Sequence, residues 1–291
     1  MVDAKKSQYQ SLKEKWQTRH KDLQHKLWQK HGESLAWLSQ NAKQLTAGAG
    51  VSLLLLTSPG PFNSALNLPT ASAQISQKID KNSFFISDLY SVLPKEVSPL
   101  SIEQENKASE ILSREFKMKI LPELQGKRLN RNYGFIGAEQ HLARFPGDTI
   151  YNHFNTEEEA RQFYSAGMAP GLGAWGYFAP SESLFTEEDK LREKYYIAVP
   201  TFLSENFSER FTEYRDFFKY RKMIVVNPQN GKAIVCVIGD SGPAVWTGKH
   251  LGGSPEVMEY LEREDGGRKG PVLYFFIDDS ENKVPLGPIA L

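Results

Sequence analysis

The spacing of apolar and polar residues predicts a helix at the start of the chain. Between residues 8 and 44, leucine and tryptophan side chains recur at roughly helical intervals in a polar background, which is typical of an amphipathic helix on a surface or in a coiled coil. The residues that form this pattern are Leu12, Trp16, Leu23, Leu27, Trp28, Leu35 and Leu38. Residues 1–44 are therefore interpreted as a polar, helical N-terminal region.

Residues 45–57 form an uncharged, apolar segment. A membrane-spanning helix needs about 20 apolar residues, so the length of this segment is closer to that of the apolar part of a signal peptide. The first 44 residues carry nine Lys or Arg against four Asp or Glu, and such a basic excess favours export of the chain that follows. We expect a signal-like or membrane-anchor segment, with cleavage after Ala73 and retention as an anchor both open, and a buried core helix as the alternative.

The next part of the chain shows weaker periodicity. Residues 58–100 mix polar and apolar side chains with prolines and predict a linker, with one short element around Phe84 to Leu93. Residues 101–170 predict a helical and loop region. Its helices are expected at Ile102 to Leu121 and at Thr156 to Tyr164, where Thr156 is a suitable N-cap.

After Gly171 the pattern changes to short apolar runs separated by turn residues. Such runs predict β-strands, and several of them at close spacing predict an all-β unit with helical insertions. The predicted strands are Ala174 to Ala179, Tyr195 to Val199, Met223 to Val226, Ala233 to Ile238 and Val272 to Ile277. Residues 171–291 are therefore interpreted as one mainly β domain.

The most specific motif lies in the middle of this domain. The strand Met223 to Val226 is followed by a turn that contains Asn230-Gly231, a strong hairpin signal, and the chain returns in a strand that begins at Lys232. Gly239-Asp240-Ser241-Gly242-Pro243 comes directly after it. This order resembles the double-psi β-barrel of the rare lipoprotein A group, the expansins and the family 45 glycoside hydrolases. Their motif is a strand, an Asn-Gly turn, a second strand and then Asp-x-Gly-Pro, which Asp240, Gly242 and Pro243 match.

The resemblance implies a six-stranded double-psi β-barrel with helical insertions in residues 171–291. Two flanking segments are also similar to the family. Gly173 to Phe178 is similar to its opening strand, and Gly248 to Leu261 is similar to a short strand followed by a helix. Ser254 would be the N-cap of that helix, with Pro255 as its first residue.

In catalytic members of these families the matching aspartate is a general acid on a glycosidic oxygen. The resemblance therefore implies that Asp240 donates a proton during cleavage of a glycan. The alternative is that Asp240 only caps the turn through its side-chain oxygen. Gly252 and Gly253 stand where the family has an acidic residue, so a second catalytic carboxylate is not evident near the motif.

Further substrate-binding residues are expected around Asp240. The candidates are Trp175, Tyr177, Ser241, Gly242, Trp246 and His250. Aromatic side chains bind the apolar faces of sugar rings when a groove holds them rigidly, although core packing is an equal alternative for Tyr177. His250 would replace a histidine of the family's site if its loop folds over Asp240; otherwise it is a turn residue.

Composition changes this picture little. The chain has 35 basic and 35 acidic residues, so no overall field favours a nucleic acid. Its single cysteine, Cys236, fits either side of a membrane. The spacing of Glu139, His141 and His153 fits no established ligand pattern, so no metal site is predicted. No glycine-rich loop has the form that cradles phosphates, and no cofactor is predicted.

These observations predict an extracytoplasmic protein, membrane-anchored or secreted, whose barrel acts on the cell wall. The first expectation is an enzyme that cleaves peptidoglycan glycan strands by lytic transglycosylase-like or hydrolytic chemistry, with Asp240 as general acid. The second is a non-catalytic, expansin-like glycan-binding module. The third is an envelope-assembly protein that binds a protein partner. In each case residues 45–57 would be the segment that meets the membrane.

Overall fold

The computed structural model describes residues 70–263 and 270–291. The predicted N-terminal helix in residues 1–44 and the apolar segment 45–57 lie outside the described residues. In the part of the chain that the structure describes, none of the helices combines the length and the apolar character that crossing a bilayer requires.

Helices and strands are mixed along the described chain. The helices are α1 (Thr70–Val92), α2 (Ile102–Phe116), α3 (Glu157–Phe163), α4 (Glu187–Lys194), α5 (Phe211–Phe218) and α6 (Pro255–Tyr260). The strands are β1 (Ile120–Leu121), β2 (Glu123–Leu124), β3 (Lys127–Arg128), β4 (Tyr133–Ala138), β5 (Tyr196–Val199), β6 (Lys222–Val226), β7 (Ala233–Ser241), β8 (Leu251–Gly253), β9 (Gly270–Ile277) and β10 (Gly287–Ile289). Short 3₁₀ helices lie between them, including Ile150–His153 and Val245–Thr247.

Six of these strands close into a mixed β-barrel. Their order around the barrel is β4-β8-β5-β7-β6-β9, and β9 pairs again with β4. The β4–β8 and β5–β7 pairs are parallel, whereas the other pairs of the ring are antiparallel. The pattern of strand pairing in the ring is unchanged when β4, β5 and β6 are exchanged with β7, β8 and β9, respectively. Each strand of the first triplet therefore has the same kinds of neighbours as its counterpart in the second. The predicted mainly β C-terminal region with a six-stranded barrel and helices is confirmed at this level.

The barrel begins earlier in the chain than the sequence predicted. Residues 133–138, interpreted as part of a helical and loop region, form β4, which pairs with β8 and β9. Gly134 and Gly137 weaken the apolar pattern of this strand, but both are needed there. A Cβ at Gly134 would lie 2.7 Å from the Cβ of His250, and one at Gly137 would lie 2.8 Å from the Cδ of Lys249.

Other local predictions had mixed outcomes. The β6–β7 hairpin is confirmed, and so is Ser254 as the N-cap of α6, where its side chain accepts a hydrogen bond from the N–H of Val257. Thr156 caps α3 in the same way. The predicted strand Ala174 to Ala179 is a turn instead, and the helix predicted to reach Leu121 ends at Phe116, where Lys117 adopts a left-handed φ of 56°.

The barrel strands are buried on both faces. Side chains alternate along a strand, and on β6 Val225 lies in the core inside the barrel whereas Ile224 faces a second apolar cluster outside it. Phe85 and Leu89 of α1 and Leu112 of α2 supply the helical side of that cluster. The region predicted as a linker thus contains a helix that covers the barrel, and the described residues belong to one compact unit.

Candidate functional site

A β-bulge sets the position of Asp240 at the end of β7. Ile197 pairs with Ile238, but the next residue of β5, Ala198, pairs with Asp240, so Gly239 is an extra residue without a partner opposite it. Because Ile238 lies in the barrel core, simple alternation would send the side chain of Asp240 into the same core. The bulge instead lets the half-buried Asp240 meet the segment that begins at Gly173.

The carboxyl group of Asp240 is held by one of its oxygens. Oδ1 accepts hydrogen bonds from the backbone N–H groups of Ala174, at 2.6 Å, and Ser241, at 2.7 Å. Oδ2 accepts none from the described residues. The first oxygen thus joins the loop of Ala174 to the end of β7, and the second remains available to a ligand.

Glu139 provides a second carboxyl group on the same side of the barrel. It follows β4 directly, and its N–H donates to the carbonyl of Gly253 at 2.8 Å. Its side chain lies over Gly252, where an added Cβ would be 2.3 Å from Glu139 Oε1. Burial raises the pKa of Glu139 above its usual value, although Lys249 Nζ, 3.1 Å from Oε1, opposes the shift, and the charge of Asp240 adds to it.

Two small residues separate these carboxyl groups. Ala198 pairs with Asp240 on one side and with Gly252 on the other. Neighbouring strands lie about 4.8 Å apart, so Gly252 and Asp240 are roughly 10 Å apart across the sheet. We call the region between Glu139 and Asp240, which is separated from the barrel interior by the buried residues Ala198 and Gly252, the carboxyl groove.

The carboxyl groove adjoins open space and rests on a buried tyrosine. Glu139 also lines a cavity of about 380 Å³, together with Phe163 of α3 and Met258 of α6. Tyr196, two residues before Ala198 on β5, is fully buried and donates its hydroxyl to the carbonyl of Gln140. Since Gln140 follows Glu139, this bond helps to fix the chain that carries the second carboxyl group.

The predicted aromatic residues occupy different environments. Trp175 is half-buried, packs against the barrel core and donates its indole N–H to the carbonyl of Ile238 at 3.0 Å. Tyr177 is 37% exposed, and Trp246, in the 3₁₀ turn after the motif, is 88% exposed. Of these three predicted residues, Trp246 is therefore the most available for stacking on a sugar, and the binding roles stay predictions.

The remaining predicted residues have clear structural contacts. Ser241 shares a hydrogen bond of 2.5 Å with the hydroxyl of Thr201, and the N–H of Gly242 donates to the carbonyl of Val199.

His250 lies against β4, because its Nδ1 accepts the N–H of Phe135 at 3.0 Å and its ring stacks on that phenylalanine. Burial lowers the pKa of His250. His250 therefore packs on the opposite strand from Asp240, and no hydrogen bond between the two occurs among the described residues.

A second group of ionisable side chains lies in the segment that follows Glu139 and in the helix α4, which precedes β5. His141, His153 and Glu193 are buried, and all three offer a ligand atom within 4.8 Å of the others. Arg144 donates to Glu193 Oε2 from Nη2 at 2.8 Å and from Nε at 3.0 Å. Burial alone would raise the pKa of Glu193, but its contacts with the two histidines and with Arg144 outweigh burial and lower it.

Sequence reasoning missed the pairing of Glu139 with Asp240 and the grouping of Glu193 with the histidines. Glu193 is in the last turn of α4, far from His141 along the chain, and the β5–β8 and β4–β8 pairings help to bring these segments together. In comparisons with protein-family models, with curated proteins and with solved structures, no match to this chain is found.

Proposed function

We propose that this protein is a cell-envelope protein whose double-psi β-barrel binds peptidoglycan in the carboxyl groove and cleaves its glycan strands. The observation that carries the proposal is the placement of two carboxyl groups, Glu139 and Asp240, on either side of a floor made of Ala198 and Gly252. A pair of carboxyl groups that flanks a sugar chain is the usual arrangement for glycosidic cleavage.

The double-psi assignment is supported by the strand pairing. The two parallel pairs and the equivalence of the strand triplets β4-β5-β6 and β7-β8-β9 are what two interlocked copies of one motif would produce. The motif Asp240-Ser241-Gly242-Pro243 lies at the end of the second triplet's first strand, and Glu139 lies at the end of the first triplet's first strand. The two carboxyl groups thus occupy nearly equivalent places in the two halves.

Glu139 is suited to be the proton donor. Its raised pKa favours the protonated form nearer to neutral pH, which a general acid requires. In lytic cleavage, Glu139 would protonate the glycosidic oxygen as its bond to C1 breaks. The sugar's own C6 hydroxyl would bond to C1 and give its proton to Asp240 Oδ2, which yields a 1,6-anhydro sugar.

The test is digestion of purified peptidoglycan by the full chain, with soluble products analysed by mass spectrometry. Glu139→Gln and Asp240→Asn are each expected to reduce product release by at least 100-fold, whereas Glu158→Gln, on the exposed start of α3, should be neutral. Anhydro-sugar products would show lytic cleavage, and reducing ends would show hydrolysis. Wild-type protein that releases neither product would contradict the enzymatic proposal.

A non-catalytic glycan-binding module is the second candidate, favoured by the two backbone bonds to Asp240 Oδ1. Asp240→Asn keeps an oxygen acceptor for Ala174 and Ser241, but Asp240→Ala does not. A binding module predicts that the Asn variant still sediments with peptidoglycan like wild type, while the Ala variant loses loop structure and binding. Trp246→Ala is expected to weaken sedimentation with peptidoglycan whether the protein is an enzyme or a binding module, since the exposed indole face would stack on the apolar face of a sugar ring.

The location of the protein is part of the same proposal. We place the barrel outside the cytoplasmic membrane, with residues 45–57 as anchor or signal segment. Fractionation of cells that produce the full chain, followed by protease treatment of spheroplasts, tests it. Protection of the barrel from protease in intact spheroplasts would contradict an extracytoplasmic location.

A further inference from the structure

The buried side chains of His141, His153 and Glu193 face one another at distances that suit metal ligands. His141 Nδ1 lies 3.4 Å from Glu193 Oε1, and His153 Nδ1 lies 3.3 Å from Glu193 Oε2. Two ligand atoms bound to one tetrahedral zinc ion at 2.0–2.1 Å are about 3.4 Å apart. The side chains of all three residues are fully shielded from solvent.

These nitrogen atoms lack hydrogen-bond partners. Both ring nitrogens of His141 and the Nδ1 of His153 make no hydrogen bond, although each is buried. The contacts with Glu193 are close in distance but do not meet the geometry of a hydrogen bond. A buried polar atom without a partner costs about 1–3 kcal/mol, and an ion that accepts its lone pair is one of the few ways to offset that cost.

The opposite side of His153 is held as in histidines that bind metals. Its Nε2 lies 2.9 Å from Asp148 Oδ2, and Asp148 also accepts the backbone N–H of Arg144. When Asp148 accepts a hydrogen bond from Nε2–H, the proton of the neutral ring is on Nε2 and the lone pair of Nδ1 points to the other side, toward Glu193. This carboxylate–histidine–metal relay is the usual outer shell of a metal site.

The other contacts of Glu193 leave room for an ion. Its Oε1 accepts the N–H of Leu142 at 3.2 Å, and its Oε2 accepts both Nε and Nη2 of Arg144. A carboxylate has about four lone-pair directions, so one remains on Oε1, the oxygen that faces His141. Glu256 of α6 is also near, because burial and then the charge of Glu193 raise its pKa, and its Oε2 is another buried oxygen without a hydrogen bond.

We infer that His141, His153 and Glu193 bind a divalent transition-metal ion of the zinc class. Two imidazole nitrogens and one carboxylate oxygen form a donor set that zinc and its neighbours in the first transition row accept. The ion joins the segment after β4 to the end of α4. It therefore fixes the chain on both sides of the carboxyl groove, since Glu139 lies two residues before His141 and Tyr196 lies three residues after Glu193.

The experiment uses the full chain, produced without a histidine tag and treated with a chelator, and Co²⁺ as the probe. The N-terminal histidines are first replaced in the combined variant His20→Ala, His25→Ala, His31→Ala, so that they cannot contribute to Co²⁺ binding. We expect one equivalent of Co²⁺ to bind with a visible ligand-field absorption that Zn²⁺ displaces, and Zn²⁺ to raise the melting temperature of this protein. No absorption and no change in melting temperature would overturn the proposal.

Variants then identify the ligands. His141→Gln, His153→Gln and Glu193→Gln are each expected to abolish the Co²⁺ absorption, and Asp148→Asn to weaken binding about 10- to 100-fold. His250→Gln is the matched control, because His250 is a partly buried histidine outside the group, and it should bind as before. Co²⁺ binding that survives His141→Gln and His153→Gln, or that is lost in His250→Gln, would overturn the assignment. If a ligand variant folds poorly, the Co²⁺ titration of the full chain in which His141, His153 and Glu193 are intact still decides whether the protein binds the ion.

Discussion

Asp240, and not Gly239, lies opposite Ala198 on the neighbouring strand β5. This shift of one residue carries the motif's aspartate out of the register of the core residues Cys236 and Ile238. The residue that is skipped must be small, because a Cβ at Gly239 would lie 2.6 Å from the Cβ of Tyr196. The placement of the candidate catalytic group is therefore a consequence of how β5 and β7 pack.

A methyl group at Gly252 is expected to impair the site without unfolding the barrel. In Gly252→Ala the new Cβ would meet Glu139 Oε1, Cγ and Cδ at 2.3 to 2.7 Å, so the carboxyl group must move. Misplacement of a catalytic group by about 1 Å costs roughly 100-fold in rate. Product release from peptidoglycan and the melting temperature are measured together.

Gly171→Ala is the control for that substitution, since nothing lies within 4 Å of a Cβ at Gly171. It should leave both rate and melting temperature unchanged. Full activity in Gly252→Ala would show that the position of Glu139 does not matter to the reaction.

The pH dependence of cleavage should respond to Lys249. Burial raises the pKa of Glu139, and Lys249 partly opposes this. A general acid loses activity as pH rises through its pKa, so removing the opposing charge in Lys249→Met is expected to move the alkaline limb of kcat/KM to higher pH. The measurement is the pH profile of kcat/KM on soluble glycan strands.

Lys232→Met is the matched control, because Lys232 pairs with Glu262 on the surface. It should leave the profile in place. An alkaline limb that does not move in Lys249→Met would exclude Glu139 as the group that titrates, and would return the general-acid role to Asp240, as the family resemblance implies.

Among the six barrel strands, continuous apolar runs predicted β5, β6, β7 and β9, the resemblance implied β8, and β4 was missed. β6 and β7 are buried on both faces, so each residue between Met223 and Val226 is apolar and the run is easily recognised. β4 contains two glycines that make room for Lys249 and His250, and its pattern is typical of a loop. The missing strand is the one that leads to Glu139.

The candidate site was predictable only in part for a related reason. Asp240 belongs to a local motif and can be recognised from a few neighbouring residues. The pairing of Glu139 with Asp240 depends on β4 and β8 lying parallel and on β5 lying between β8 and β7. Such pairings join distant parts of the chain, and no periodicity in the sequence records them. The same holds for Glu193, His141 and His153.

The contribution of Asp279 to the stability of the protein should depend on pH, and it should be largest where this carboxyl group is ionised. Its side chain, 6% exposed, accepts hydrogen bonds from Lys222 Nζ at 2.7 Å and from the backbone N–H groups of Lys283 and Val284. Burial alone would raise the pKa of Asp279, but these bonds outweigh it and lower the pKa below its ordinary value of 3.8. Because the folded pKa is depressed, the stabilisation is present above pH 4 and is lost as pH falls through the folded value.

Asp279→Asn is therefore expected to lower the free energy of unfolding by about 1.5–3 kcal/mol at pH 7. The difference from wild type should shrink in strong acid. Urea unfolding at pH 7 and at pH 3 measures both values, with Asp216→Asn, an exposed partner of Arg215, as control. A difference that is equally large at both pH values would contradict the assigned ion pair.

The last prediction concerns the helix that covers the barrel. Leu89 of α1 is fully buried among residues of β6, β7 and β9, whereas its neighbour Tyr90 is 50% exposed. Replacement of a fully buried leucine by alanine removes apolar contacts and leaves a cavity, so Leu89→Ala is expected to lower the free energy of unfolding by about 2–5 kcal/mol. Tyr90→Ala should change it by less than about 1 kcal/mol.

Urea unfolding of the two variants measures this difference directly. Equal, small effects would mean that α1 contributes little to the stability of the barrel. A large effect for Leu89→Ala alone would mean that α1 and the barrel unfold together. A fragment without α1 and α2 would then expose Ile224 and Phe275, which face these helices in the outer apolar cluster, and tests of the carboxyl groove would have to keep both helices.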